Sequence, residues 1–248
     1  MSRIFARYIN LPERTDRNAV MQTFQRHTKL ELQRFNAIRL PSKAEAIQHV
    51  SNRARADMLG RMRMHHESLN TVGAASCYLS HLTVLKEFLS SDSEIALVLE
   101  DDLQEQDAVR LDALVAEFTE SSAWDIALLG WGRRMQTFPD GRAKLFPTSP
   151  MIVYGSHAYM VTRKAAEILL KHGYPMEMQW DAALQAIADR QGLRVIPTKQ
   201  PHLIQRPNVQ SDVYSWCPYC ESHYIFIYLA IALVLGFVIR SFLSLSLD

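Results

Sequence analysis

The segment of residues 95–103, with the sequence IALVLEDDL, constrains the possible folds of this chain more than any other. Its five leading apolar residues predict a strand buried on both faces, as in the middle of a parallel α/β sheet. The strand ends in three carboxylates, Glu100, Asp101 and Asp102, at the strand end where ligands of open α/β sheets lie. Because like charges repel and are costly to desolvate, the cluster predicts a divalent cation, Mn²⁺ or Mg²⁺. A solvated acidic turn is the alternative.

The composition is that of an ordinary folded protein. The 248 residues suffice for one large domain or two small ones, and 48% of them are hydrophobic. The net charge of +1 gives no indication of a nucleic-acid partner. An odd number of cysteines, Cys77, Cys217 and Cys220, does not form a disulfide framework and favours a reducing compartment.

Strand-like and helix-like segments alternate along the chain, which predicts the α/β fold class with a mainly parallel sheet flanked by helices. Strands are predicted at residues 4–9, 35–40, 95–99, 124–130, 151–154, 158–162 and 193–196. Helices are predicted after residue 15, within residues 42–68, from residue 73, at residues 108–118 and 163–172, and from residue 180.

Two predicted helix starts carry residues suited to anions. Arg14 and Arg17 follow the first strand and can hold phosphate oxygens, although a solvated helix start is the alternative. Small residues from Gly73 onward allow close backbone approach, as at anion-binding helix N-termini. Cys77, in the same helix, is interpreted as a small buried apolar residue rather than a reactive thiol.

The C-terminal part of the sequence differs from the rest. Residues 224–239 carry no charge, and an apolar run continues beyond Arg240. A bilayer core requires about 20 apolar residues, so residues 223–247 predict a membrane anchor if Arg240 reaches the interface. A C-terminal core helix is the alternative. We expect a domain at residues 1–213, a linker at 214–222 containing the sequence CPYC, and then the anchor.

Four sequence blocks, in this order, resemble the family 25 glycosyltransferases, which include lipooligosaccharide and collagen hydroxylysine galactosyltransferases. The resemblance covers roughly residues 4–213, and the hydrophobic tail lies beyond it. Ser76 departs from the pattern, because relatives commonly have glycine before the cysteine. The four blocks are residues 9–17, residues 73–82, residues 96–102, and residues 124–130 with Gly155, Ala158 and Tyr159.

The resemblance implies a GT-A-like fold, a UDP-sugar donor and usually Mn²⁺. The cation would bridge the donor diphosphate and stabilise the charge that builds on the departing UDP. Glu100, Asp101 and Asp102 are the implied metal residues. On an extended segment Glu100 and Asp102 point to one side and Asp101 to the other, unless the turn breaks the alternation. The implied binding residues for the nucleotide sugar are Asn10, Arg14, Arg17, Ser80 and His81.

The implied reaction moves a hexose, such as galactose, to a hydroxyl of a glycan, glycolipid or protein. An inverting transfer requires a base that deprotonates this hydroxyl. Asp181 is the predicted base, with Asp125 and Asp212 as alternatives, and a helix cap is the structural explanation for Asp181. Because no N-terminal signal precedes the domain, we expect a single-pass membrane protein whose catalytic domain faces the cytoplasm.

Three other functions are compatible with parts of the sequence. The first is a catalytically inactive, membrane-tethered module that binds sugar nucleotides or glycans. The second is a dithiol redox site at Cys217 and Cys220, although no thioredoxin-like unit follows these residues, and S-acylation next to the membrane is an alternative use. The third, a phosphoacceptor domain, requires a separate aspartate and a lysine in fixed order, which the sequence does not show.

Overall fold

The computed structural model describes residues 4–60, 67–121, 123–131, 155–199, 202–207 and 211–213. Within these ranges, strands and helices alternate as the sequence predicts. The strands are β1 (Ile4–Asn10), β2 (Gln33–Asn36), β3 (Ile95–Glu100), β4 (Ile126–Gly130), β5 (Ala158–Thr162) and β6 (Val195–Pro197). The helices are α1 (Thr15–Arg26), α2 (Lys43–Gln48), α3 (Asn52–Leu59), α4 (Val72–Leu89), α5 (Ala108–Glu120), α6 (Arg163–His172) and α7 (Trp180–Arg190), with a 3-10 turn at Glu105–Asp107.

The strands described form one sheet in the order β2-β1-β3-β5-β4-β6. β1 pairs in parallel with β2 and β3, and β4 pairs in parallel with β6. β5 lies between β3 and β4 and is antiparallel to both. The α/β class is therefore confirmed, and the sheet is mixed because of β5. The apolar run of β5 predicts a buried strand but contains no information about its direction.

Both faces of the sheet are buried, as the apolar run of β3 predicts. Ala96 and Val98 face the core that contains α4, α6 and α7, and Leu97 and Leu99 face the core that contains α1 and α5. All four side chains are fully buried. Each buried leucine or valine stabilises the fold by about 1.5–3 kcal/mol, so this strand fixes the centre of the sheet.

The end of β2 differs from the prediction. The sequence predicts a strand through residue 40, whereas β2 ends at Asn36. The backbone N–H of Ile38 donates to Ser80 Oγ at 2.9 Å, and that of Leu40 donates to Ser76 Oγ at 3.0 Å. The N–H of Ala37 still donates to the carbonyl of Asn10 in β1, so residues 38–40 are the ones that leave the sheet and follow the helix.

None of the described helices is long and apolar enough to cross a membrane. The predicted linker at 214–222 and the predicted anchor at 223–247 lie outside the described residues.

Candidate functional site

A cavity of about 610 Å³ opens beyond the carboxyl ends of β1 and β3. This is the edge of the sheet at which the sequence predicts the site. Its walls come from chain segments that are far apart in sequence. They are Ile9, Leu11, Arg17, residues 37–41, residues 72–74, Ser76, Cys77, Ser80, and residues 100–102, 155–156, 179–181, 205–206 and 211–213.

Asp101 is the carboxylate that the protein holds with its own side chains. Arg17 Nη1 donates to Asp101 Oδ1 at 2.8 Å, and Asn10 Nδ2 donates to Asp101 Oδ2 at 2.6 Å. Arg17 and Asp101 are both about 8% exposed at the side chain, so this is a buried ion pair. It ties α1 and β1 to the acidic turn. Of the three predicted metal residues, Asp101 is thus the one whose two oxygens already have internal donors.

Asp102 has a free oxygen in the same turn. Gln205 Nε2 donates to Asp102 Oδ2 at 3.1 Å. Asp102 Oδ1 is buried and has no hydrogen-bond partner among the described residues. Burial, and then the neighbouring charge of Glu100, raise the pKa of Asp102 to about 6. A buried carboxylate oxygen without a donor fits an incoming cation, because the cation would supply the missing compensation.

Glu100 ends β3 between the cavity and α4. Its Oε1 lies 3.5 Å from His81 Nε2, and its side chain is 23% exposed. Burial raises the pKa of Glu100 to about 7. The charge of Glu100 also raises the pKa of Asp102, so these two carboxylates interact electrostatically at the cavity wall.

The two predicted phosphate-binding arginines lie beside the carboxylate of Asp212. Arg14 Nη1 donates to Asp212 Oδ2, and Arg17 Nη2 lies 3.6 Å from the same atom. Arg14 also donates to Asp16 from Nε at 3.0 Å, and hydrogen bonds with Asp16 raise the pKa of Arg14. The carboxylate of Asp212 therefore already lies against the two arginines.

Ser80 and His81 lie in the part of α4 that faces the sheet. The hydroxyl of Ser80 accepts from Ile38 N and donates to the carbonyl of Ser76 at 2.8 Å. It therefore holds Ile38, which lines the cavity, against α4. His81 is fully buried and stacks on Trp180 with ring centroids 5.2 Å apart. Burial lowers the pKa of His81 to about 3, so the imidazole is neutral near neutral pH. Direct nucleotide binding by either residue stays a prediction.

The predicted base, Asp181, lies in the first turn of α7 and lines the cavity. Its Oδ1 accepts from the N–H of Ala182 at 2.8 Å and its Oδ2 from the N–H of Gly155 at 3.2 Å. Asp125, one of the alternatives, precedes β4 at the opposite edge of the sheet. It pairs with Lys164 at 3.0 Å and accepts from Arg194 N at 2.8 Å, so its role there is structural.

Gln205 and Arg206 were not predicted as site residues. Arg206 N donates to the carbonyl of Asp102 at 2.7 Å, and Arg206 Nη2 donates to that of Asp101 at 3.2 Å. Both residues line the cavity. These residues lie in an irregular segment about 100 residues after the acidic turn. The one feature of the sequence that could have indicated them is the positive charge of Arg206.

Comparison with known proteins identifies the family. Among solved structures, the chain resembles CMP:2-keto-3-deoxy-manno-octonic acid synthetase complexed with CTP, with 12% identity over 79% of this chain and 89% of that chain. The TM-score of 0.41 is too low to support a functional comparison. No curated protein matches the chain. The sequence model of glycosyltransferase family 25, described as LPS biosynthesis protein, matches residues 4–184. This match covers well over half of the chain, confirms the predicted resemblance, and shows that the chain belongs to glycosyltransferase family 25.

Proposed function

We propose that this chain transfers a hexose, such as galactose, from a UDP-sugar to a hydroxyl of a lipopolysaccharide-type glycan acceptor. The observation that carries the proposal is the cavity wall on which the open carboxylate of Asp102 and the cationic side chain of Arg17 both lie. A nucleoside diphosphate held through a divalent cation requires both charges. The cavity volume of about 610 Å³ lies within the usual range for small-molecule sites.

Asp102 and Glu100 are the residues that would hold the cation. The unpartnered Oδ1 of Asp102 and the raised pKa values of both carboxylates support this assignment. A bound Mn²⁺ or Mg²⁺ would neutralise the diphosphate and the negative charge that develops on departing UDP. Asp101 would act indirectly, because it fixes Arg17 through the buried ion pair.

Arg17, with Arg14 behind it, would bind the phosphate oxygens of the donor. Guanidinium groups bind phosphate through paired N–H donors, and the partial burial of this site strengthens the attraction. Arg17 keeps its orientation because Asp101 holds its Nη1. The Asp212 carboxylate between the two arginines marks where an anionic group is stabilised.

Asp181 is the proposed base of an inverting transfer. It would accept the proton of the acceptor hydroxyl while that oxygen bonds to the anomeric carbon and the bond from this carbon to UDP breaks. The N–H groups of Gly155 and Ala182 stabilise the ionised carboxylate and fix its direction. The predicted anchor at 223–247 would bring this domain to a membrane, where lipid-linked acceptors lie.

The proposal is tested by incubating the full chain with a panel of UDP-sugars and Mn²⁺ and measuring released UDP, with and without lipooligosaccharide acceptors. We expect release from one donor, stimulated by an acceptor and abolished by EDTA and by Asp102→Asn. Asp92→Asn is the matched control, because Asp92 is exposed before the opposite end of β3. A folded protein that binds UDP but releases none with any donor or acceptor would favour the inactive binding module.

A further inference from the structure

Three side chains with different metal-binding atoms meet beneath the cavity. Cys77 and His81 lie one helical turn apart on the same face of α4, and Glu100 ends the neighbouring strand β3. One ligand atom from each, Sγ, an imidazole nitrogen and a carboxylate oxygen, lie within 4.8 Å of one another. The proposed transfer uses Glu100 for the donor cation, and neither it nor the family description assigns a role to the three side chains together.

One ring nitrogen of His81 is available to bind a further group. The residue is fully buried, yet its Nε2 has no hydrogen-bond partner among the described residues. Glu100 Oε1 lies 3.5 Å from this nitrogen, which exceeds the usual length of an N–H···O hydrogen bond. The other ring nitrogen, Nδ1, lies 3.1 Å from the hydroxyl of Tyr159. Metal-binding histidines commonly have such a partner on the second nitrogen, which fixes the ring orientation.

We infer that Cys77, His81 and Glu100 bind one borderline-soft divalent cation of the Zn²⁺ type. Thiolate, imidazole and carboxylate are the ligands that zinc prefers, and about 3.5 Å separates ligand atoms in a tetrahedral zinc site. The distance from His81 to Glu100 already has this value, and a contraction of at most about 1.3 Å brings all three atoms to it. On binding, the cation replaces the thiol proton of Cys77, which passes to solvent.

The site differs chemically from the proposed donor cation site and does not depend on the transferase activity. A thiolate selects zinc over Mn²⁺ or Mg²⁺, which prefer oxygen ligands such as Asp102. Glu100 has two oxygens, so the use of Oε1 here does not exclude it from the donor cation. Cys77 and Glu100 both line the cavity, so a fourth ligand would enter from that side.

The test is optical titration of the metal-free full chain with Co²⁺, which substitutes for zinc and gives a near-ultraviolet charge-transfer band with thiolate. Cys217 and Cys220 form a second possible thiolate site. The background is therefore the double variant Cys217→Ser with Cys220→Ser. We expect a band that saturates at one equivalent and disappears when zinc is added. Adding Cys77→Ser should abolish it, whereas adding Asp102→Asn should not change it.

Two results would overturn the inference: no band in the double-variant background, or a band that Cys77→Ser leaves unchanged. Circular dichroism and the melting temperature establish whether the Cys77→Ser protein is folded. If it is not, Glu100→Gln decides, because this variant retains the thiol. Co²⁺ affinity reduced at least about tenfold by Glu100→Gln supports the site, and unchanged affinity contradicts it.

Discussion

The buried ion pair of Arg17 and Asp101 shows that the neighbouring carboxylates of the acidic turn have different roles. Asp101 and Asp102 are adjacent and chemically identical, yet Asp101 has two internal donors and Asp102 has an unpartnered oxygen. Both aspartates lie in the turn after β3, so the alternation of an extended strand does not apply to them. The difference comes from tertiary contacts, because Arg17 and Asn10 lie against Asp101.

Asp101→Asn should therefore destabilise the protein far more than Asp102→Asn. Removing the charge of one partner leaves Arg17 buried, which typically costs about 3–5 kcal/mol. We expect about 3 kcal/mol, because Asp212 remains 3.6 Å from Arg17. Asp102→Asn removes a charge that burial already disfavours and should cost less than about 1 kcal/mol. Urea unfolding of the metal-free proteins measures both values, and equal effects would contradict the assignment.

The raised pKa of Glu100 predicts a pH-dependent stability. Its folded pKa of about 7 exceeds the ordinary value of 4.5, so the folded chain holds this proton more tightly than the unfolded chain. The free energy of unfolding consequently falls as the pH rises from about 4.5 through 7. Glu100→Gln removes the loss, so in chelator the variant should gain roughly 2–3 kcal/mol over wild type between about pH 5 and about pH 8. A difference independent of pH would show that Glu100 titrates normally.

Asp181→Asn should lower turnover and leave donor binding intact. The amide cannot accept the hydroxyl proton, and general base catalysis typically contributes about 10²- to 10⁴-fold. We expect a loss of this size in kcat, with the affinity for UDP unchanged. Asp125→Asn is the control, since Asp125 lies at the other edge of the sheet beside Lys164. Equal losses of kcat in the two variants would remove Asp181 from the reaction.

At the scale of elements, α4 determines the shape of the cavity. Thr71 caps its first turn by accepting from Ala74 N at 3.0 Å, and it also donates to the carbonyl of Val213 at 2.7 Å. A Cβ on Gly73 would collide with the backbone carbonyl of Asp212, so this glycine permits the segment 211–213 to lie against the helix. The small residues at this helix start were predicted to allow close approach to an anion. The structure shows that they admit a stretch of the chain itself.

Ser80→Ala tests the attachment of residues 38–40 to α4. It removes the acceptor of the Ile38 N–H, and an unsatisfied donor of this kind costs about 1–3 kcal/mol. Ser90→Ala, at the exposed end of the same helix, should stay within about 0.5 kcal/mol of wild type. Thermal or urea unfolding compares the two. Equal stabilities of the two variants would mean that the Ser80 hydrogen bond does not stabilise this wall.

The sequence predicts most of the strands and helices correctly, but it predicts the pairing of the strands only in part. Continuous apolar runs predict β3, β4 and β5 because both faces of the sheet are buried. Such runs carry no signal for direction, so the antiparallel orientation of β5 was not foreseen. The end of β2 was also misplaced, because the competing hydrogen bonds come from Ser76 and Ser80, some 40 residues away. A helical spacing of four between Cys77 and His81 was visible, but their approach to Glu100 required the packing of α4 on the sheet.

At the scale of the whole molecule, the candidate site forms where the start of α1, the start of α4, the end of β3 and the start of α7 converge. The sequence predicts a site at this edge because parallel strands place their carboxyl ends together. The segments 202–207 and 211–213 are irregular, and of their residues the sequence indicates only Asp212, as an alternative base. Leu103 forms a bridge with Gln205, and Asp212 lies against Arg14, so both segments complete the cavity through long-range contacts alone.

Equilibrium binding of UDP to the full chain, measured by calorimetry with and without Mn²⁺, tests the assignment of the donor site most directly. We expect binding that depends on Mn²⁺, is weakened at least about tenfold by Asp102→Asn, and is unchanged by Asp92→Asn. Such a result would place the cation and the nucleotide at the carboxyl edge of the sheet. UDP binding that is indifferent to Mn²⁺ and to Asp102→Asn, by folded proteins, would contradict it.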